Sequence, residues 1–245
     1  MLFKLAVVIA LIIIILYVNR QSHDQFTNPI PVVQTFGDFH DPDRFTIALI
    51  GGVHGNEPSG SVALQELIDD GWFTRESRER INFIVIPRAN EYGLQKGIRE
   101  TGDIWHPDLN RSFHERSASP LSKYLLDVIE PADFVMDFHE GWGWHQINKA
   151  SIGSTISPTA GLSIRVANAA TAAVNDDISD PYKKFLMLPD ISCDIKSALS
   201  CYMEQRGRNY ILTETTGQKD IQPMQTRVNQ VKKIVYTAVR EIKME

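Results

Sequence analysis

Cysteine is almost missing: the 245-residue chain has two, Cys193 and Cys201. Two thiols make neither a disulfide framework nor a thiolate zinc site, so any bound metal must use histidine and carboxylate ligands. One local bridge between the pair stays open. A basic surface is missing too. Lys and Arg number 25 against 30 Asp and Glu, a formal net charge of −5, and the cations are scattered. That leaves no electrostatic footprint for a polyanion and excludes nucleic acid as an expected partner. No internal repeat or low-complexity tract is visible. At 43% hydrophobic and 22% charged, the composition is that of an ordinary globular chain, with length for one sizeable core and not for two full enzyme domains.

Long apolar runs are confined to one place. Leu2 to Val18 carries a single charge, Lys4, and includes Ile12-Ile13-Ile14-Ile15-Leu16. At about 1.5 Å per residue the block reaches roughly 25 Å, slightly short of a ~30 Å hydrocarbon layer but tolerable with interfacial flanks. Residues 1–20 therefore read as an N-terminal apolar helix, either a retained signal anchor or a cleaved signal peptide. The residues after it lack a small-x-small cleavage pattern, which favours the anchor. The expectation is a protein held to a membrane by one N-terminal helix, or secreted. Residues 21–44, with Asn28-Pro29-Ile30-Pro31 and Asp41-Pro42-Asp43, read as a linker running into an edge segment.

Residues 45–245 read as one domain in which β-rich runs alternate with helical patterns. Thr46 to Ile50, Asn82 to Ile86, Phe134 to Phe138 and Tyr210 to Thr213 are the expected strands. Helices are expected over Ser59 to Asp70, Leu121 to Ile129, Leu162 to Val174, Lys196 to Gln205 and Met224 to Ile242. The last shows Val228, Val231, Val235 and Val239 at three- and four-residue spacing. This is an α/β layout, with a mixed, mostly parallel central sheet flanked by helices.

Three expected strands run into residues that carry chemistry: the first into His54, the third into His139, the fourth into Glu214. Ligands of open α/β sheets sit beyond the carboxyl ends of the strands, so one crevice would collect all three. At the first strand end, Gly51-Gly52-Val53-His54-Gly55-Asn56-Glu57 permits a sharp turn that aims His54 and Glu57 at one point. Zinc takes imidazole nitrogen and carboxylate oxygen, and a catalytic site needs three protein ligands. A bare H-x-x-E also occurs as plain turn polars. Phosphate is a poor alternative, because the loop has neither a G-K-[ST] ending nor G-x-G-x-x-G spacing.

At this point the residues resemble the zinc carboxypeptidase superfamily, and within it the succinylglutamate desuccinylase/aspartoacylase branch. His54-Gly55-Asn56-Glu57-Pro58-Ser59-Gly60 looks like the branch's H-G-N-E-x-x-G, which supplies two zinc ligands. Asn90 to Arg99 is similar to an N-x-x-G-(x)5-R stretch whose Arg faces the developing oxyanion; Arg88 is the fallback for that role. Asp108-Leu109-Asn110-Arg111-Ser112-Phe113 resembles D-L-N-R-x-F, whose Asn and Arg hold the substrate carboxylate. Asp137-Phe138-His139 matches the D-x-H of the third ligand, and Glu214 aligns with the strand-end general base. The resemblance thus implies one zinc per chain on His54, Glu57 and His139, with Glu214 and Arg99 catalytic. It implies Asn110 and Arg111 as substrate-binding residues, and by analogy Tyr202 as an aid to the leaving group. Aspartoacylases carry a further β-rich domain that narrows the site, whereas the residues after Glu214 read as one helix, so a more open site is expected.

The activity implied is a zinc-dependent amide hydrolase of the deacylase type, acting on a small carboxylate-bearing N-acyl amino acid or a peptide. Two alternatives stay open: a metallocarboxypeptidase or cell-wall peptide hydrolase, and a membrane-tethered, non-catalytic binding protein.

Overall fold

The computed structural model describes residues 28–114, 118–188, 193 and 195–244. The apolar block and the helix expected over residues 1–20 lie outside them. Among the described residues no helix is long and apolar enough to cross a membrane.

In chain order the elements are β1 (Gln34–Phe36), β2 (Phe45–Gly51), α1 (Ser59–Asp69), α2 (Trp72–Glu76), β3 (Ile81–Ile86), α3 (Glu91–Lys96) and α4 (Pro120–Ile129). There follow β4 (Phe134–Gly141), β5 (Thr155–Pro158), α5 (Leu162–Asn175), β6 (Leu186–Met187), α6 (Leu199–Gln205), β7 (Asn209–Thr216) and α7 (Met224–Lys243). The strands form one seven-stranded sheet in the order β1-β3-β2-β4-β7-β5-β6. Its centre, β3-β2-β4-β7, is parallel, while β1 and β5 pair antiparallel to β3 and β7. The central strands are apolar almost throughout because both faces are covered.

Strand alternation sorts the side chains into two cores. Ile47, Leu49, Phe134, Met136 and Ile211 face the layer of α1, α5 and α7, where Val228, Val231 and Val235 meet them. Ala48, Ile50, Val135 and Tyr210 face the other layer, with Leu125 of α4 and Leu199 and Met203 of α6. The same two-residue period fixes the functional side chains. Asp137 and His139 follow Val135 on the second face, whereas Glu140 follows Phe138 to the first.

Several elements differ from their sequence expectations. The fold does not begin at Phe45. Gln34–Phe36 pairs with β3, Phe36 stacks on Phe73 with ring centroids 5.3 Å apart, and the Asn28 amide donates to Asn90 Oδ1 at 2.6 Å. Strands β5 and β6, of four and two residues, were not expected; runs so short carry no period to read. The expected helix from Lys196 starts at Leu199 instead, where Asn110 Oδ1 accepts from the Leu199 N–H at 2.9 Å and caps it. Cys193 and Cys201 are joined in a disulfide, with Cα atoms 5.0 Å apart, closing the possibility left open above.

Candidate active site

The site sits at the carboxyl ends of β2, β4 and β7. Beyond β2 the chain turns through Gly52, at φ 70°, a left-handed conformation that suits glycine. Gly55 then passes so close to α3 that a Cβ there would lie 1.8 Å from the Gly93 carbonyl carbon. Asn90 locks this contact. Its side chain accepts from the Gly93 N–H at 2.9 Å and donates toward the carbonyls of Val53, Arg99 and Glu100 at 3.1 to 3.3 Å. The N-x-x-G motif is thus a clasp that fixes both the His54 turn and the loop carrying Arg99.

His54, Glu57 and His139 are buried and converge. His54 Nδ1 lies 3.0 Å from Glu57 Oε1, His139 Nδ1 lies 2.9 Å from Glu57 Oε2, and the two Nδ1 atoms are 3.1 Å apart. The far ring nitrogens each meet a carboxylate: His54 Nε2 is 3.1 Å from Asp108 Oδ1, and His139 Nε2 is 3.2 Å from Asp137 Oδ2. A carboxylate outside each ring holds the proton on Nε2 and turns the Nδ1 lone pair inward. With both imidazoles neutral, two lone pairs and a carboxylate face one point. A cation satisfies that arrangement, so these three residues fit a metal ion, and the N,N,O donor set suits zinc.

The electrostatics agree with the geometry. Burial opposes ionisation of Glu57, but His54 and His139 hold its carboxyl far below the usual range. Burial also works against a charged His139, yet Asp137 and Glu57 outweigh it and hold the imidazole well above the usual histidine value. Glu214 pairs in register with His139 across the parallel ladder, so both side chains emerge on the same face. Burial pushes the Glu214 carboxyl well above its ordinary value; the His139 charge opposes this, and Glu57 and Asp137 add to it. Tyr210, on the same face of β7, donates its hydroxyl to Asp137 Oδ2 at 3.0 Å.

His54, Glu57, His139, Glu214, Arg99, Asn110 and Arg111 line one cleft of about 570 Å³. Arg99 Nε donates to Asp108 Oδ2 at 2.9 Å and its Nη1 to Glu57 Oε1 at 3.3 Å, which puts its guanidinium at the edge of the metal-ligand cluster. Arg88 is tied to Glu91 instead and takes no part. Asn110 turns its oxygen to α6, which leaves its NH2 for the cleft. Tyr202 is not there: it lies on α6 under the Arg206 guanidinium, 3.6 Å from the ring centroid, and packs on the second core. It is absent from the cleft lining, which corrects the placement expected for it. Glu140 and Trp142 line the cleft, while Trp144 lies under Lys183.

Three features go beyond the motif roles. Asp108 serves both His54 and Arg99. Gln218 donates to Glu57 Oε1 at 2.9 Å and to the Glu140 carbonyl at 2.6 Å. Beneath them Glu140 and Arg227 of α7 form a buried ion pair, with the Ser59 N–H also donating to Glu140 at 2.6 Å. Only the absence of a side chain at Gly217 makes room for it, since a Cβ there would fall 1.6 Å from Glu140 Oε2.

Comparison with known proteins agrees with this architecture. The sequence model of the succinylglutamate desuccinylase/aspartoacylase catalytic domain matches residues 43–241. No curated protein matches in sequence. Among solved structures, product-bound cell shape determinant protein Csd4 from Helicobacter pylori superposes with a TM-score of 0.69 at 16% identity, over 88% of this chain and 56% of that one. Its mDAP-bound form, described as a D,L-carboxypeptidase, gives 0.69 at 15% identity over 87% and 55%. A metallo-carboxypeptidase from Burkholderia cenocepacia gives 0.59 at 14% identity over 86% and 60%. At such identities the likeness is one of fold, and this chain spans little more than half the length of Csd4.

Proposed function

Because the chain belongs to the succinylglutamate desuccinylase/aspartoacylase catalytic-domain family, we propose that it is a zinc-dependent amide hydrolase. Its substrate carries a free carboxylate next to the scissile bond. The observation that carries this reading is the convergence of the His54 Nδ1, His139 Nδ1 and Glu57 acceptors at one point, with Glu214 in register beside His139. His54, Glu57 and His139 would hold the ion. Zinc, when bound, polarises a carbonyl and lowers the pKa of its water to about 7.

The chain's own groups supply the rest. Glu214 takes a proton from water and returns it to the leaving nitrogen, and burial in the cleft raises its readiness to hold that proton in between. Arg99, held by Asp108 and Glu57, offers its remaining N–H donors to the carbonyl oxygen as charge develops there. Arg111 and the Asn110 NH2 take the substrate carboxylate, the guanidinium as a two-pronged donor. Asp108 and Asp137 keep the two imidazoles in the tautomer that leaves Nδ1 free.

A peptide substrate, cleaved as by a carboxypeptidase, is favoured over a small N-acyl amino acid. A cleft of about 570 Å³ has room for more than one residue, and the fold is shared with Csd4, described as a D,L-carboxypeptidase. We place the protein outside the reducing cytosol, anchored or secreted, from the apolar block at residues 2–18 and the Cys193–Cys201 bridge.

Glu214→Gln and Arg111→Ala test the assignment together. The first should lower kcat by roughly 10²- to 10⁴-fold with zinc content unchanged. The second should raise KM on substrates with a free carboxylate and leave the C-terminal amides alone. Full activity in Glu214→Gln, or equal loss on both substrate forms in Arg111→Ala, refutes these roles.

A further inference from the structure

The substrates in the family's name are acidic: an acyl-aspartate or a succinylglutamate carries a side-chain carboxylate besides the one beside the scissile amide. This cleft has cations for only one of them. Its described lining residues include two, Arg99 and Arg111. Arg99 is committed to Asp108 and Glu57. Arg111 donates to the Asn110 carbonyl at 2.9 Å and has no carboxylate partner among the described residues, so one charge is free to meet one substrate carboxylate.

One part of the described wall is mostly apolar. Leu188, Ile195, Ala198 and Leu212 line it, with the hydroxyl residues Ser157 and Ser200. The carboxylates that face the cleft, Glu57 and Glu214, would repel a second anion. Lys196 follows Ile195 but is exposed and does not line the cleft.

From this charge count, and resting on the amide-hydrolase reading above, we infer that the residue released carries a neutral, apolar side chain. The substrate class is an acylated or peptide-linked residue of the Leu, Phe or Met kind with one free carboxylate. Water adds across its amide bond, giving the acid of the acyl or peptide portion and the free amino acid. Leu188, Ile195 and Leu212 set the preference, because a charged side chain placed among them loses hydration and gains no partner.

The test is kcat/KM of the zinc-loaded protein on N-acetyl and glycyl derivatives of Leu, Phe, Asp, Glu and Lys. Leu and Phe should exceed Asp and Glu by about 100-fold or more, the scale on which a hydrophobic pocket rejects a polar isostere. Ile195→Arg, a change at an exposed loop position, should raise turnover of the Asp and Glu members by about tenfold, the lower end of a charge-assisted contact. Asp or Glu turned over as well as Leu overturns the inference, and so does a folded Ile195→Arg with no such gain. If no member of either series is hydrolysed, the activity reading fails separately. Calorimetric binding of free leucine against free aspartate to the zinc form then still decides the side-chain preference, with aspartate equal or tighter overturning it.

Discussion

Arg227→Met should be among the most damaging single changes away from the metal ligands. The side chain is 2% exposed and its partner Glu140 is 0% exposed, so removing the guanidinium strands a carboxylate in the interior. Breaking such a pair typically costs 3 to 5 kcal/mol. Two observations place this one near the lower end. Glu140 keeps the Ser59 N–H at 2.6 Å, and Arg227 Nε already lacks a partner, so a fully satisfied network is not what is lost. The expected loss is about 3 kcal/mol, or roughly 6 to 12 °C in melting temperature for a domain of this size. Glu140→Gln should cost less, because Arg227 retains Asp220, 3.3 Å away and in solvent. The double variant should regain much of the loss, since an uncharged pair of similar volume has no stranded charge. Urea unfolding of all four proteins, metal-free and zinc-saturated, gives the coupling energy. If Arg227→Met costs less than about 1 kcal/mol, or the two changes simply add, the pair is not holding a buried charge and the reasoning is wrong.

Other outcomes follow from the same geometry. Asp108→Asn should weaken zinc binding by about 10- to 100-fold in a chelator competition, the usual cost of losing a carboxylate behind a ligating imidazole; unchanged affinity would mean that Asp108 serves Arg99 alone. Zinc uptake should also be strongly pH-dependent, because the raised His139 pKa means that the ion must displace a proton. The sign runs two ways. In the metal-free protein the protonated His139 contributes stability that is fully present below its unfolded value of about 6.5 and is lost as pH rises through the raised folded value. Zinc affinity moves oppositely, falling as pH falls through that same value. Calorimetry in buffers of different ionisation enthalpy should show proton release near neutral pH, and an absence of release would refute a charged His139.

The strand ends were legible because two periods coincide there. Alternation along Phe134 to His139 put Asp137 and His139 on one face, and the same parity on β7 put Glu214 beside them. The D-L-N-R run suggested a substrate clamp through the resemblance alone, and the duty of its Asp108 toward His54, 54 residues away, has no local signature. Gln218 was invisible for a different reason. It stands at the start of a turn in which Lys219 and Asp220 have φ of 66° and 54°, where glycine or asparagine would have signalled the bend. The Glu140–Arg227 pair joins a strand to a helix 87 residues on, and read in sequence Arg227 is one more cation on an amphipathic helix. Tyr202 rested on analogy alone, and on α6 its ring packs under Arg206 and against the second core instead of lining the cleft.

The bridge between Cys193 and Cys201 has a consequence for anyone who makes the protein. It closes a short loop, with a sequence separation of 8, in the stretch that brings Ile195 and Ala198 to the cleft. A glutathione-buffered expression host keeps such thiols reduced, whereas a periplasmic or secretory route oxidises them. Loop-closure entropy for so short a ring amounts to about 2 to 3 kcal/mol of unfolding free energy. Two batches from different hosts would therefore differ in melting temperature by several degrees, and also in the part of the cleft wall around Ile195 and Ala198. A free-thiol titration belongs before the first kinetic run, because a batch with the bridge open would show its defect in KM while its zinc content looked normal.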